Sequence, residues 1–195
     1  MTVNAKWTPG EEPTLANVGP AVTGWHLALT SLEAATTEFE WAMLRWHEAF
    51  DRYNRQALNM LGLATVSIPE MSILHIVRLH DRAKPASMIA NLLNRDDVQN
   101  IQYSLRKLMG LKLVQKAKDG AGKNSNVEVT DKGRQVCDEV ANIRRQLLIE
   151  QIAQLENGEA RLLFTAKTVS MLIGLYDEAG RVSTGYMALD TSSDE

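Results

Sequence analysis

One cysteine is all that this chain of 195 residues contains, and long hydrophobic runs are missing. A single cysteine excludes an internal disulfide and leaves a thiolate metal site without the ligands it needs. No stretch approaches the roughly 20 apolar residues that cross a bilayer, and Met1 to Gly10 lacks the apolar run of a signal peptide. We therefore expect a cytoplasmic protein in reducing surroundings, with no membrane partner.

The motifs of catalysis and metal binding are also missing. No nucleophile, acid–base pair or phosphate-binding loop stands out, and Gly120-Ala-Gly122 is interpreted as a turn. His75 and His80 are five residues apart on a predicted helix, which turns them toward different faces. Cys137 sits between Val136 and acidic neighbours, which disfavour a thiolate. The sequence predicts neither an enzyme nor a metal or cofactor site.

Charge is small overall and unevenly distributed. The net charge is −3, whereas the stretch from Arg95 to Arg134 has nine Lys or Arg against five Asp or Glu, which gives +4 and leaves −7 for the rest. A local basic surface attracts phosphate without making the whole molecule bind every polyanion. The alternative is a solvated surface that is basic by chance.

Helix-breaking prolines and glycines, together with the hydrophobic periodicity, divide the chain into five segments. Residues 1–24, with three prolines and three glycines, predict a flexible arm, and residues 181–195 predict a polar tail. Residues 25–64 hold a long amphipathic helix with a Thr30–Glu33 capping box. Residues 131–180 hold two more helices, the first capped by Thr130 and ended by Asn157-Gly158.

The middle segment, residues 65–130, predicts three helices and a hairpin. Pro69 suits the first turn of one helix, Lys84-Pro85 ends that element, and a short helix follows from Ala86. Asn94 or one of the next two aspartates can cap a fourth helix, and Leu113–Lys116 pairs with Val127–Val129 around a flexible basic tip. This is the order of a winged helix-turn-helix. The predicted fold is mainly α with a small β-hairpin wing.

The fourth helix carries hydrogen-bonding groups suited to base edges. If Ile101, Leu105 and Leu108 point inward, the 100° rotation per residue turns Gln99, Tyr103 and Arg106 outward, flanked by Asn100, Gln102 and Lys107. Amides pair with adenine and arginine with guanine, whereas lysine or a tyrosine hydroxyl holds phosphate. The alternative is a polar face toward water. The other candidate DNA contacts are Ser87 before this helix and, on the wing, Lys116, Lys118, Lys123, Asn124 and Ser125.

With these elements in place, the chain resembles the MarR family of bacterial winged-helix regulators. The stretches that carry the resemblance are Ala86 to Leu93, Val98 to Leu108, Gly110 to Val114, and Val127 to Arg134. The closing Val-Thr-Asp-Lys-Gly-Arg is the most specific piece, and the likeness covers roughly Leu32 to Tyr176.

The chain departs from the family pattern at the recognition helix and at the wing. Tyr103 stands where the family often has arginine, Lys112 replaces a glycine before the first wing strand, and an Asp-x-Arg wing pattern is absent. The family's operator preference therefore does not transfer to this chain.

The resemblance implies a homodimer built from the terminal helices and a small-molecule effector. Apolar residues outside the winged core fit dimerisation, with packing inside one chain as the alternative; they are Leu147, Leu155, Leu163 and Val169. Trp46, Phe50 and Tyr53 are candidates for an effector pocket, although aromatics at helical spacing are more often core.

The function predicted from the sequence is sequence-specific binding of double-stranded DNA by a dimeric, ligand-responsive transcriptional repressor on a palindromic operator. The alternative is a winged-helix protein-interaction module without specific DNA binding, since winged helices can also dock proteins. Strong salt dependence of DNA binding would favour the regulator.

Overall fold

The computed structural model describes residues 25–117 and 126–190, with side chains up to residue 184. In chain order its helices are α1 (Ser31–Met60), α2 (Ile68–Arg78), α3 (Ala86–Leu92) and α4 (Val98–Gly110). The strands β1 (Val114–Lys116) and β2 (Val127–Val129) follow, and then α5 (Asp131–Arg144), α6 (Glu150–Ile152) and α7 (Gly158–Asp190). The fold class expected from the sequence, mainly helical with a β-hairpin wing, is confirmed.

The chain divides into two compact units, the first ending at Cys137 and the second beginning at Asp138. The core of the first unit comes from the apolar faces of α2, α3 and α4 and from the strand residues. Its largest fully buried side chains are Ile73, Leu74, Val77, Ile89, Ile101, Leu108, Leu113 and Val114. Burial of this size supplies the main favourable free energy of the fold, and it fixes α4 against α2 and α3.

Capping side chains set the N-terminal ends of α1, α2 and α5. The Thr30–Glu33 capping box at the start of α1 is present as predicted, and an equivalent box at Ser67 and Glu70 begins α2. The Thr130 hydroxyl accepts a hydrogen bond from the backbone N–H of Gly133 at 3.0 Å and so caps α5. These caps satisfy amide groups that a helix start otherwise leaves unpaired.

The wing is a two-stranded antiparallel hairpin in which Val114 pairs with Val129 and Lys116 with Val127. Lys84 adds an isolated bridge, because its backbone N–H and C=O both bond to Val127 at 2.9 Å. The Lys84 side chain is buried, and its ammonium donates to the carbonyls of Val77, Leu79 and Arg82. Lys84 thereby ties the base of the wing to the end of α2.

Two helices after the wing differ from the sequence prediction. The helix that starts after Thr130 was expected to continue to Asn157-Gly158, but it passes through a π-helical segment, Arg145–Ile149, and ends with α6 at Ile152. Gly158 begins α7 instead, after Asn157 with φ +53°. The last helix extends to Asp190, beyond the start of the polar tail expected at residue 181. The predicted arm, residues 1–24, lies outside the described residues.

Candidate nucleic-acid interface

Helix α4 separates an apolar face from a hydrogen-bonding face. Ile101, Leu105 and Leu108 are buried, as the spacing predicts. The opposite side is open, and Tyr103 on that side is 63% exposed. The other exposed residues on this helix include Gln99, Asn100, Gln102 and Arg106. Five of the six polar residues predicted for this face are therefore exposed.

A groove joins α4 to the start of α3 and to the wing. It has a volume of about 460 Å³ and is lined by apolar residues together with four predicted DNA contacts, Ser87, Gln102, Arg106 and Lys116. These four side chains come from three successive elements, α3, α4 and β1. The structure thus brings hydroxyl, amide, guanidinium and ammonium groups together on one surface.

Lys107, the sixth residue, is partly exposed and reaches toward α2. Its ammonium donates to a carboxylate oxygen of Glu70 at 2.8 Å and to the carbonyl of Thr65 at 2.6 Å. The Glu70 side chain is only 7% exposed, so this bond holds the C-terminal half of α4 against the start of α2. The geometry favours a structural role for Lys107 over the DNA contact that helical spacing suggested.

Glu70 has an unusual electrostatic environment. Burial raises its pKa, but the hydrogen bond from Lys107, the bonds from the Ser67 backbone and hydroxyl, and the Lys107 charge together lower it below the ordinary 4.5. The carboxylate therefore stays ionised while buried. Sequence reasoning missed this residue, although Ser67 followed by Glu70 is a capping-box pattern.

The turn before α4 holds a second polar cluster that the sequence did not reveal. Asp97 occupies the N-cap position but its carboxylate makes no capping bond to the helix backbone. Arg95 donates to Asp97 from Nε at 2.8 Å and from its second guanidinium nitrogen, and Asn100 donates from Nδ2 at 2.9 Å. The Arg95 bonds, followed by the Asn100 bond, lower the pKa of Asp97 to about 2.

The wing is described only at its base. Lys116 is exposed at the end of β1 and lines the groove. The predicted tip contacts, Lys118, Lys123, Asn124 and Ser125, lie outside the described residues. Their part in binding stays a prediction.

The residues predicted for dimerisation and for effector binding lie on exposed helices. Leu147, Leu155 and Leu163 are 55%, 56% and 58% exposed, and Val169 is half-buried. On α1 the rings of Trp46 and Phe50 stack with centroids 5.0 Å apart, and both are exposed. Tyr53, one turn further on, is half-buried. These observations leave the predicted roles open.

The described parts of the chain contain neither a cluster of metal ligands nor a membrane-spanning helix. There, no three His, Cys, Asp or Glu side chains are grouped so that they could hold a metal ion. No helix in those parts is both long and apolar enough to span a bilayer.

The fold and the groove define a winged helix-turn-helix protein. Residues 66–133 match the family described as "Winged helix DNA-binding domain". Comparison with curated proteins gave no match.

Solved structures of MarR-type regulators share the fold. BldR, a transcriptional regulator from Sulfolobus solfataricus, is 22% identical with a TM-score of 0.59, over 73% of this chain and 99% of that one. MepR from S. aureus in complex with DNA is 18% identical with a TM-score of 0.57, over 70% and 96%. A MarR mutant from E. coli, complexed with operator DNA, is 16% identical with a TM-score of 0.58, over 72% and 99%. The resemblance to the MarR family is confirmed in fold.

Proposed function

We propose that this protein is a transcriptional regulator that binds double-stranded DNA through α4 and the wing. The observation that carries the proposal is the groove in which Ser87, Gln102, Arg106 and Lys116 meet. In winged helices the second helix of the motif enters the major groove while the wing reaches the flanking backbone. Arg106 and Gln102 then face base edges, and Ser87 and Lys116 face phosphates. The DNA complexes of MepR and MarR support this use of the fold.

The active form in this proposal is a homodimer in the cytoplasm, acting as a repressor on a palindromic site. Two copies of α4 then address half-sites about one helical turn apart. Exposed apolar side chains on the second unit support an interface, because patches of this kind on a soluble chain mark binding surfaces. Occupation of a promoter by the dimer would occlude polymerase. No catalytic activity is part of the proposal.

An effector would shift the equilibrium between DNA-binding and non-binding arrangements of the dimer. The exposed Trp46–Phe50 stack supports an aromatic effector, because an open pair of rings offers an apolar surface to a third ring. Quenching of tryptophan fluorescence by candidate aromatic acids tests this step. The quenching should disappear in Trp46→Leu and persist in Trp41→Leu.

Selection of binding sites from random duplex DNA with the purified protein tests the central proposal. A palindromic motif is expected, and Arg106→Ala or Gln99→Ala should weaken binding to it by about 1–3 kcal/mol at fixed salt. Absence of any enriched motif would favour the alternative, a winged helix that docks another protein.

The salt dependence of binding separates phosphate contacts from structural lysines. Lys116→Ala should reduce the slope of log affinity against log salt by about 0.9, which corresponds to one phosphate contact. Lys107→Met should leave that slope unchanged, because its ammonium is bonded to Glu70 and Thr65. An unchanged slope in Lys116→Ala would remove the wing base from the interface.

A further inference from the structure

The N-cap carboxylate of α4 is used in an unusual way. An aspartate at this position normally accepts a hydrogen bond from the backbone N–H of the second or third helical residue. Here Asn100 is that third residue, but its backbone N–H bonds to the carbonyl of Asp97, whereas its side-chain amide bonds to the Asp97 carboxylate. The Asp97 carboxylate therefore holds the Asn100 side chain, whereas an N-cap carboxylate usually bonds to the helix backbone.

This contact determines which way the Asn100 amide points. A carboxylate can only accept, so the Nδ2 end of the amide must face Asp97. The Asn100 carbonyl oxygen and the second amide N–H remain available, and Asn100 is exposed. An acceptor and a donor on one amide are the groups that pair with adenine in the major groove. First-turn residues of a recognition helix are the ones that contact base edges.

Arg95 makes this arrangement compatible with nucleic acid. A free carboxylate at the tip of the helix would repel phosphates, and the two bonds from Arg95 neutralise it locally. Asn94 at φ +50° and the bond from the Arg95 N–H to the Ala90 carbonyl close the turn that places Arg95 beside Asp97. Arg95, in the turn before α4, thus provides the positive charge that offsets the Asp97 carboxylate.

We propose that Asp97 is a specificity-determining positioning residue, which holds the Asn100 amide in the orientation that selects adenine at one base pair of each half-site. This inference rests on the proposed function, since it assumes that α4 reads duplex DNA. Asp97 itself need not touch a base. Its effect is confined to the preference at the base pair that Asn100 contacts.

The test compares base preferences selected from random duplex DNA for four variants. Asn100→Ala should lose the preference for adenine at one position of each half-site by about tenfold. Asp97→Ser removes the carboxylate and supplies a good cap, so the helix is retained, yet the same preference should be lost. Asp96→Ser is the matched control, since it removes the same charge from an exposed neighbour and should leave every preference intact. The double variant Asp97→Ser/Asn100→Ala should be no worse than Asn100→Ala.

The outcomes distinguish this inference from the proposed function. The role of Asp97 would be overturned if the unaltered protein selects a motif and Asn100→Ala loses the adenine preference, but Asp97→Ser keeps it. A motif unaffected by Asn100→Ala would remove both residues from readout while leaving DNA binding in place. Failure of the unaltered protein to select any motif would instead reject the proposed function. Equal unfolding midpoints for Asp97→Ser and Asp96→Ser exclude loss of folding as the cause.

Discussion

Lys112 adopts a left-handed backbone conformation with φ +61°, at the position where the resembling family carries glycine. A side chain with a Cβ is strained there by roughly 1–2 kcal/mol relative to a right-handed conformation, and glycine is not. The turn is fixed because the backbone N–H groups of Lys112 and Leu113 bond to the carbonyls of Met109 and Leu108, and Leu113 is fully buried. Lys112, which stands in place of the family's glycine, therefore lowers the stability of the folded chain.

Lys112→Gly is expected to stabilise the protein by about 0.5–1 kcal/mol, since relief of the strain exceeds the extra chain entropy of glycine in the unfolded state. Urea unfolding at neutral pH measures this difference. Lys112→Ala removes the same charge but keeps the Cβ, and it should give no such gain. Equal stabilisation by both variants would attribute the effect to charge.

Lys107 illustrates how far helical spacing can specify a site. The spacing correctly placed Gln99, Gln102, Tyr103 and Arg106 on the open side of α4. It could not show that Lys107 reaches Glu70, because that partner lies 37 residues earlier in the chain. Flank positions of a helix are decided by the neighbouring element, which periodicity does not describe.

Lys107→Met should lower the free energy of unfolding by about 1–3 kcal/mol at neutral pH, because buried Glu70 loses its charged partner. The pKa of Glu70 is below 4.5 in the folded state, so its contribution is present above that pH and is lost as the pH falls through the folded pKa. The difference between the two proteins should therefore shrink in acid. Urea unfolding at pH 7 and pH 4 measures it, and a difference that grows in acid would contradict the assignment.

At the scale of elements, local signals predicted the helices and strands of the first unit well. The Thr30 box, the Thr130 cap and the register of alternating valines in β2 depend on neighbours within four residues, which the sequence displays. A cap at Asn94 or at one of the two following aspartates was expected; Asp97 takes the N-cap position, but Arg95 competes for its carboxylate. The π-helical segment Arg145–Ile149 has no composition that distinguishes it from α-helix. Neither the competition of Arg95 for the Asp97 carboxylate nor the π-helical segment could therefore be predicted from the sequence.

The junction of the wing with α5 depends on the absence of a side chain at Gly133. A Cβ there would overlap the carbonyl oxygen of Leu113 and lie 2.8 Å from a methyl group of Val129. The Thr130 hydroxyl, which caps α5, also donates to the carbonyl of Lys112 at 2.7 Å, so strand and helix meet at one point. This close packing explains why the residue after Lys132 is glycine.

Gly133→Ala is expected to destabilise the protein by about 3 kcal/mol or more, because both contacting groups are held by the wing and cannot move away cheaply. Gly110→Ala is the matched control. Gly110 ends α4 with nothing within 4 Å of an added Cβ, so alanine there should stabilise by up to about 1 kcal/mol. Thermal unfolding of both variants is the measurement, and similar midpoints would contradict this account of the junction.

For the whole molecule, the exposed apolar side chains of α7 are the feature that one chain does not explain. Helix α7 exposes large side chains on opposite sides: with 100° per residue, Phe164, Met171 and Leu175 share one side, and Leu162 and Ile173 lie on the other. A helix that is apolar on two sides is stable in water only when both are covered. The sequence showed the apolar residues but not that the chain leaves them exposed.

A second copy of the chain is the partner that the proposed function requires, and mutation of α7 tests it. Leu163→Glu places a charge at a residue that is 58% exposed in the single chain, so it should cost little in folding but should oppose association by desolvation of the carboxylate. We expect sedimentation equilibrium to show a dimer for the unaltered protein and a shift toward monomer for Leu163→Glu. Thr165→Glu, at an exposed polar position two residues away, is the control for added charge.

The same variant tests DNA binding by the dimer. Because a palindromic site strengthens binding when two half-sites are engaged at once, Leu163→Glu should also lose much of its affinity for the palindrome, while its affinity for a single half-site stays unchanged. A dimer that survives Leu163→Glu, with full affinity for the palindrome, would place the interface elsewhere on the molecule.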